Sequence, residues 1–84
     1  MIAGNWKMNG LRADGTALAS AVSAGAGALS CEFVVCPPAT LLAPVAGALS
    51  NGVGLGGQDC HANEKGAHTG DIAAAMLADI GCSH

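Results

Sequence analysis

The chain has no tyrosine, one tryptophan and one phenylalanine, and only 11% of its residues are charged. With so few aromatics there is no platform on which nucleic-acid bases could stack. The net charge of −3 disfavours contact with phosphate backbones and anionic lipid, which excludes nucleic acid and a membrane surface as partners. No stretch reaches the roughly 18 uninterrupted apolar residues that a membrane span requires. No basic segment leads into an apolar core at the N-terminus, so nothing reads as a signal peptide. A cytoplasmic location is the expectation.

Also absent is any C-x-x-C pair. The four cysteines are Cys31, Cys36, Cys60 and Cys82. An even number in a short chain can form a disulfide framework, but only in a secreted setting. Cys60-His61 and Cys82-x-His84 offer zinc-ligand chemistry at spacings tighter than those of zinc fingers. The favoured reading is four reduced thiols, small and wholly or partly buried, with no metal and no cofactor.

What the chain does have is apolar bulk of a particular kind. Hydrophobic residues make up 51% of it, mostly Ala, Val and Leu, and there are 13 glycines. Eighty-four residues make at most one small domain, which buries a little over half of its unfolded surface. An independent domain of that size needs more charge on its outside. The composition is that of the interior of something larger.

The apolar pattern divides into alternating elements. Residues 1–6 suit a strand. Residues 11–29 form an Ala-rich helix with Leu11, Leu18, Val22 and Leu29 on one face, weakened near its end by Gly25 and Gly27. "CEFVVCPP" (31–38) is a β-branched apolar run stopped by two prolines, the pattern of a strand buried on both sides. A second helix follows, with Pro44 in its first turn and Leu41, Val45 and Leu49 inward. "GVGLGGQDC" (52–60) reads as a third strand whose glycines admit a close neighbour. "HANEKGAHTG" (61–70) reads as a polar loop. "DIAAAMLADIG" (71–81) reads as a third helix, with Asp71 in the first turn, Ile72, Met76 and Ile80 on one face and Gly81 at its stop.

The order βαβαβα implies a parallel sheet built by right-handed crossovers. It leaves two closed forms open, a doubly wound sheet or a barrel. A dinucleotide binder would carry G-x-G-x-x-G after the first strand, where "GNWKMNG" matches neither that pattern nor the P-loop. "GVGLGG" (52–57) matches letter for letter, but it lies inside the third strand with no helix opening at its last glycine.

Strand alternation puts Asn5 and Lys7 on one face and Trp6 on the other. They sit where the first strand ends, the ligand-binding edge of parallel α/β folds. An ammonium beside an amide suits a small, anionic, oxygen-rich substrate. The alternative is a solvated loop lysine.

"AGNWKMNG" (3–10) resembles the first strand and loop of the triosephosphate isomerase family. "CPPATLL" (36–42) resembles that family's second strand-to-helix turn, and "GGQDCHANEKGAHTGDIAAAMLADIG" (56–81) its third strand, loop and helix. The resemblance runs over essentially all 84 residues. It implies a (β/α)₈ barrel with the active site at the C-terminal strand ends, of which residues 1–84 would be the first three βα units of a single domain. The implied activity interconverts dihydroxyacetone phosphate and glyceraldehyde 3-phosphate through an enediolate, in glycolysis and gluconeogenesis. The family is itself the reference case for a glutamate base paired with a neutral histidine electrophile under a closing loop.

By the same resemblance Asn5 and Lys7 contact substrate, and Lys7 is catalytic, stabilising the charge that develops on the enediolate oxygen. Gly4 would allow close packing around them. The family's histidine lies in a "GHSER"-like segment beyond the third helix, and its base, lid and phosphate-binding glycines lie later still. The isolated chain is therefore expected to be inactive. The alternative is a non-catalytic partial barrel that acts only by associating with a complementary chain. The resemblance further implies a homodimer in which the third loop docks beside the partner's first loop. Met8, Thr69, His68 and Gly70 fall at that interface. Gly66 and Gly70 supply turns, and His68 departs from the aromatic often found beside the threonine.

Overall fold

The computed structural model describes all 84 residues. Three parallel strands, β1 (Ile2–Asn5), β2 (Phe33–Cys36) and β3 (Gly54–Leu55), lie in the order β1-β2-β3. Between and after them come α1 (Arg12–Ala26), α2 (Leu42–Ala48), preceded by a 3₁₀ turn over Ala39–Leu41, and α3 (Ala74–Asp79). The register aligns Ala3 with Val34 and Gly54, and Asn5 with Cys36. One sheet face therefore carries Ala3, Asn5, Val34, Cys36 and Gly54. The other presents Val35 and Leu55 to the helices.

That helical face holds the core. Val35 and Leu55 pack in one cluster with Ala19 and Ala26 of α1, Leu42 and Val45 of α2, and Leu77 of α3. All three helices thus cover the same side of a sheet whose strands follow chain order. A doubly wound sheet places helices on both faces, whereas a barrel segment places them only outside. The barrel alternative is the one realised. In β2, Val34 and Val35 are both buried although they face opposite ways, as the β-branched run implied.

Three expectations shift. The buried stripe of α1 is Gly15, Ala19, Ser23 and Ala26, while Leu11, Leu18 and Leu29 are exposed and Val22 is half-buried. The helix approaches its neighbours too closely for large residues: a Cβ on Gly15 would already lie 3.0 Å from Leu41 Cδ1. Ser23, fully buried, accepts from the Ser50 N–H at 3.0 Å through its hydroxyl, and its carbonyl accepts from Asn51 Nδ2 at 2.9 Å. Small residues carry the seam, and the leucine periodicity marks the outer side.

The third strand is shorter than 52–60, although the backbone stays bonded beyond it, with the Gly56 N–H donating to Val35 O at 2.9 Å and the Gly57 N–H to His84 O at 2.8 Å. Its glycines do admit close neighbours. A Cβ on Gly56 would sit 2.7 Å from Cys36 Sγ, and one on Gly57 2.8 Å from Leu77 Cδ1. Gly4 is different, since within residues 1–84 a Cβ there meets nothing closer than 3.8 Å.

Helix α3 begins at Ala74, so Asp71 is not in its first turn. The His61 N–H donates to Ile72 O at 2.8 Å, and residue 61 bridges residue 73 in parallel fashion. This extended pairing ties residues 72–73 to the base of the loop and delays the helix. Leu77 is the buried residue and Met76 is exposed. At the other end Gly81 (φ 95°) donates to Ala78 O and Cys82 to Leu77 O, each at 3.0 Å. This is the double bond of a Schellman stop.

Candidate functional site

At the C-terminal end of β1 the chain leaves the sheet through a strained residue. Asn5 is the last strand residue, its carbonyl-side neighbour Trp6 donates to Cys36 O at 3.0 Å, and Lys7 then adopts φ 55°. Lys7 is therefore outside the strand, and alternation is not what places it next to Asn5. An Asx turn does so: Asn5 Oδ1 accepts from the Lys7 N–H at 2.8 Å. Because Oδ1 is engaged, the Asn5 amide NH₂ is the group left to donate outward.

The Lys7 carbonyl is held as well. Gln58, just beyond β3, donates through Nε2 to Lys7 O at 2.9 Å and to Cys36 O at 2.8 Å. One amide thus joins the ends of β2 and β3 to the first loop. Two carbonyl acceptors also fix which way the amide is turned. A non-glycine residue in the left-handed region costs about 1–2 kcal/mol, and a hydrogen bond returns about 1 kcal/mol net. The two bonds on Lys7 together offset its strain, and one alone does not. The only ion-pair contacts in the chain involve histidines, so the exposed Lys7 ammonium is unpaired and available to an anion.

Sequence reasoning named Asn5 and Lys7 as candidates and passed over Gln58, whose amide holds the Lys7 carbonyl. The signal was present: a polar residue directly follows Gly56-Gly57, just past the C-terminal end of the third strand. Met8, next to Lys7, is 95% exposed, so nothing within the chain covers it.

The loop 61–70 has internal order of its own. The His61 and His68 rings stack with centroids 4.0 Å apart and planes at 24°. The Asn63 N–H donates to His61 Nδ1 at 2.9 Å, and Asn63 Nδ2 lies 3.2 Å from His68 Nε2. A Cβ on Gly66 would fall 2.8 Å from the exposed His68 ring, which would have to shift. Gly70 makes the turn with φ 91°, and Thr69 is exposed beside it. No hydrogen bond joins His68, Thr69 or Gly70 to Asn5, Lys7 or Met8.

His61, His68 and Asp71 bring ligand-type atoms within 4.8 Å of one another, and the sequence reading named neither this trio nor its spacing. Its geometry is that of a brace. Near-parallel stacked rings do not aim their in-plane lone pairs at a common point. A ligating Nε2 would also need Nδ1 to donate, whereas Nδ1 of His61 accepts from the Asn63 N–H. Asp71 instead sits 3.8 Å from His61 Nε2.

All four thiols are unpaired, with Cys31 and Cys60 exposed and Cys36 and Cys82 half-buried. Burial, and secondarily the neighbouring Cys36, push the Cys82 thiol above its ordinary range. A raised thiol favours the folded state below the ordinary thiol range, and that stabilisation is lost as pH climbs through the raised value. In the folded full-length protein, alkylation at Cys82 is expected to lag Cys31 and Cys60 and to accelerate only at higher pH. Peptide mapping of denatured, alkylated protein without reductant should find all four sites modified. A missing pair of adducts would restore the disulfide reading.

The sequence model of the family described as triosephosphate isomerase matches residues 1–84. A triosephosphate isomerase of Afipia carboxidovorans is 53% identical over 87 residues, covering 100% of this chain and 34% of the relative. One from a Jannaschia species is 51% identical over the same length, with coverage of 100% and 34%. The crystal structure of the triosephosphate isomerase of Bartonella henselae superposes with a TM-score of 0.89 at 45% identity, over 99% of this chain and 35% of that one. The chain thus spans about a third of the length of the relatives it matches.

Proposed function

The chain belongs to the triosephosphate isomerase family, and from that premise we propose that the whole protein interconverts dihydroxyacetone phosphate and glyceraldehyde 3-phosphate. In this reading residues 1–84 are the first three βα units of one (β/α)₈ domain. The observation that carries it is the first-loop geometry. The Lys7 backbone is held at the C-terminal edge of a parallel sheet by Asn5 and Gln58, and its unpaired ammonium suits a small phosphorylated substrate.

The chemistry follows from charge. Removing a proton from the carbon beside the carbonyl leaves an enediolate, with negative charge on oxygen close to a phosphate that is already anionic. The Lys7 ammonium offsets both charges, and a positive charge already present at the site is worth more against the one that develops. The free Asn5 NH₂ donates to a substrate oxygen. Residues beyond this chain supply the base and the electrophile. The same reading makes the protein a cytoplasmic homodimer in glycolysis and gluconeogenesis. Exposed Met8 and the braced loop with His68, Thr69 and Gly70 form its interface.

The partial-barrel alternative draws on the exposure of all four β1 residues and of Leu18 and Leu29. Such edges and faces favour association over solitary folding. The test is a coupled assay of the full-length protein in both directions, alongside isolated residues 1–84. Turnover is expected from the full-length protein. The isolated chain should be inactive and aggregated or molten. A full-length protein inert toward both triose phosphates would overturn the isomerase reading.

A further inference from the structure

We propose that the loop 61–70 is a pH-sensitive latch, closed while His61 and His68 are both neutral and released when they take up protons. Acid then weakens the dimer that this loop serves. The inference rests on the dimer of the proposed reading and adds its regulation. One residue, Asn63, ties both rings. Its backbone N–H donates to His61 Nδ1 at 2.9 Å, and its side-chain Nδ2 lies 3.2 Å from His68 Nε2. An amide NH₂ donates and does not accept, so both ring nitrogens serve as acceptors and both rings are neutral. His61 then carries its one proton on Nε2, toward Asp71 Oδ2 at 3.8 Å. The two rings lie face to face, with centroids 4.0 Å apart and planes at 24°.

Protonation undoes this arrangement in two ways. A proton on His61 Nδ1 sets one donor against another, and a backbone N–H cannot be turned round to accept. His68 has an escape, since Asn63 can present its amide oxygen instead, but His61 has none. Charging both rings also stacks two cations at 4.0 Å, where like charges repel. Closing the loop therefore competes with proton uptake, and acid favours the open form. The surrounding charges do not cancel this effect. Asp71 favours an imidazolium at His61, but its side chain is 51% exposed and 3.8 Å away, so water screens the attraction. Asp59 borders His61 on one side, and Lys65 lines the hollow beside both rings on the other. Those two opposite charges offset each other. The Cys60 thiol donates to His61 O at 3.4 Å, a bond indifferent to the state of the ring. Helix α3 meets the hollow through Met76, which brings no charge.

The experiment uses the full-length protein. Sedimentation of a dilution series gives the dimer dissociation constant at about pH 8 and about pH 5.5, a span over which histidine gains its second proton. Deuterium exchange of the peptide covering 61–70, corrected for intrinsic rates, reads the loop directly. One hydrogen bond is worth about fivefold in an equilibrium, and a two-fold dimer carries two such loops. The wild-type constant is therefore expected to rise about 10–100-fold at the lower pH, with protection in the loop lost over the same range. His68→Phe keeps a stacked ring that tolerates a neighbouring cation, and its rise should be at least about threefold smaller. The double variant His61→Gln/His68→Phe has no imidazole left in the loop, and its constant should change less than about twofold. A wild-type constant and loop protection that ignore pH would overturn the proposal. So would a full-sized rise in the double variant, which would place the titrating group elsewhere. Failure of the dimer reading is distinguishable, since the wild-type protein would then be monomeric at the higher pH. Exchange in the loop would still decide whether acid opens it.

Discussion

Lys7→Ala in the full-length protein is expected to lower kcat/KM by at least about 10²–10³-fold, the loss seen when one preorganised stabiliser of a developing oxyanion is removed. Lys7 is exposed and its ammonium pairs with no carboxylate. Deleting the side chain therefore leaves no buried group orphaned, and stability should change by no more than about 0.5 kcal/mol. The loss should appear in both parameters. On the proposed isomerase chemistry, KM rises because the phosphate loses its counter-charge, and kcat falls because the enediolate does. Lys7→Arg keeps the charge but presents a planar fork in place of a point charge, so it should recover only part of the activity. Kinetics of Lys7→Ala within about twofold of wild type, at equal melting temperature, would remove Lys7 from the chemistry.

Removing the loop tip should have the second large effect. Replacing residues 62–70 of the full-length protein by a short glycine-serine link keeps the His61–Ala73 bridge that closes the loop base. It deletes Asn63, Gly66, His68, Thr69 and Gly70. The His61–His68 stack at 4.0 Å and the Asn63 contacts show that the loop is preformed, so the complete loop docks without a large ordering cost. The variant is expected to be monomeric by light scattering. Its kcat should fall at least tenfold, in line with the cost of small misplacements of catalytic groups, because in the proposed dimer the partner's loop would no longer support Met8 and the first loop. A variant that stayed dimeric and fully active would end the interface assignment. Milder disturbance is accessible at Gly66: Gly66→Ala drives a methyl into the His68 ring and should weaken the dimer without abolishing the fold.

The two experiments probe residues that the sequence pointed to with unequal clarity. Asn5 and Lys7 were legible because they close an apolar run at a strand end, and the family motif "AGNWKMNG" marks them. Their relation was misread. Alternation along a strand is a local rule, and it stops applying once the chain leaves the ladder at Asn5. The left-handed turn at Lys7 depends on an acceptor two residues back and a donor 51 residues on. The second of these cannot be seen in any local window, which is why Gln58 went unnoticed.

The sequence by itself determined the element types, their alternation and the parallel sheet. Those follow from period, β-branching and the proline and glycine stops, all of which are local. It also determined the family, through three motifs in order. Only the tertiary structure decided which faces are buried. In α1 the leucine stripe reads as the core side by size, yet the helix packs so closely on Leu41 that Gly15, Ala19, Ser23 and Ala26 fill the seam. The start of α3 was decided in the same way, by the pairing of residues 72–73 with His61 and not by the acidic residue ahead of it. Hydrophobicity states how much a residue gains from burial, whereas interaxial distance states how much room there is, and that distance is set by elements far apart in the chain.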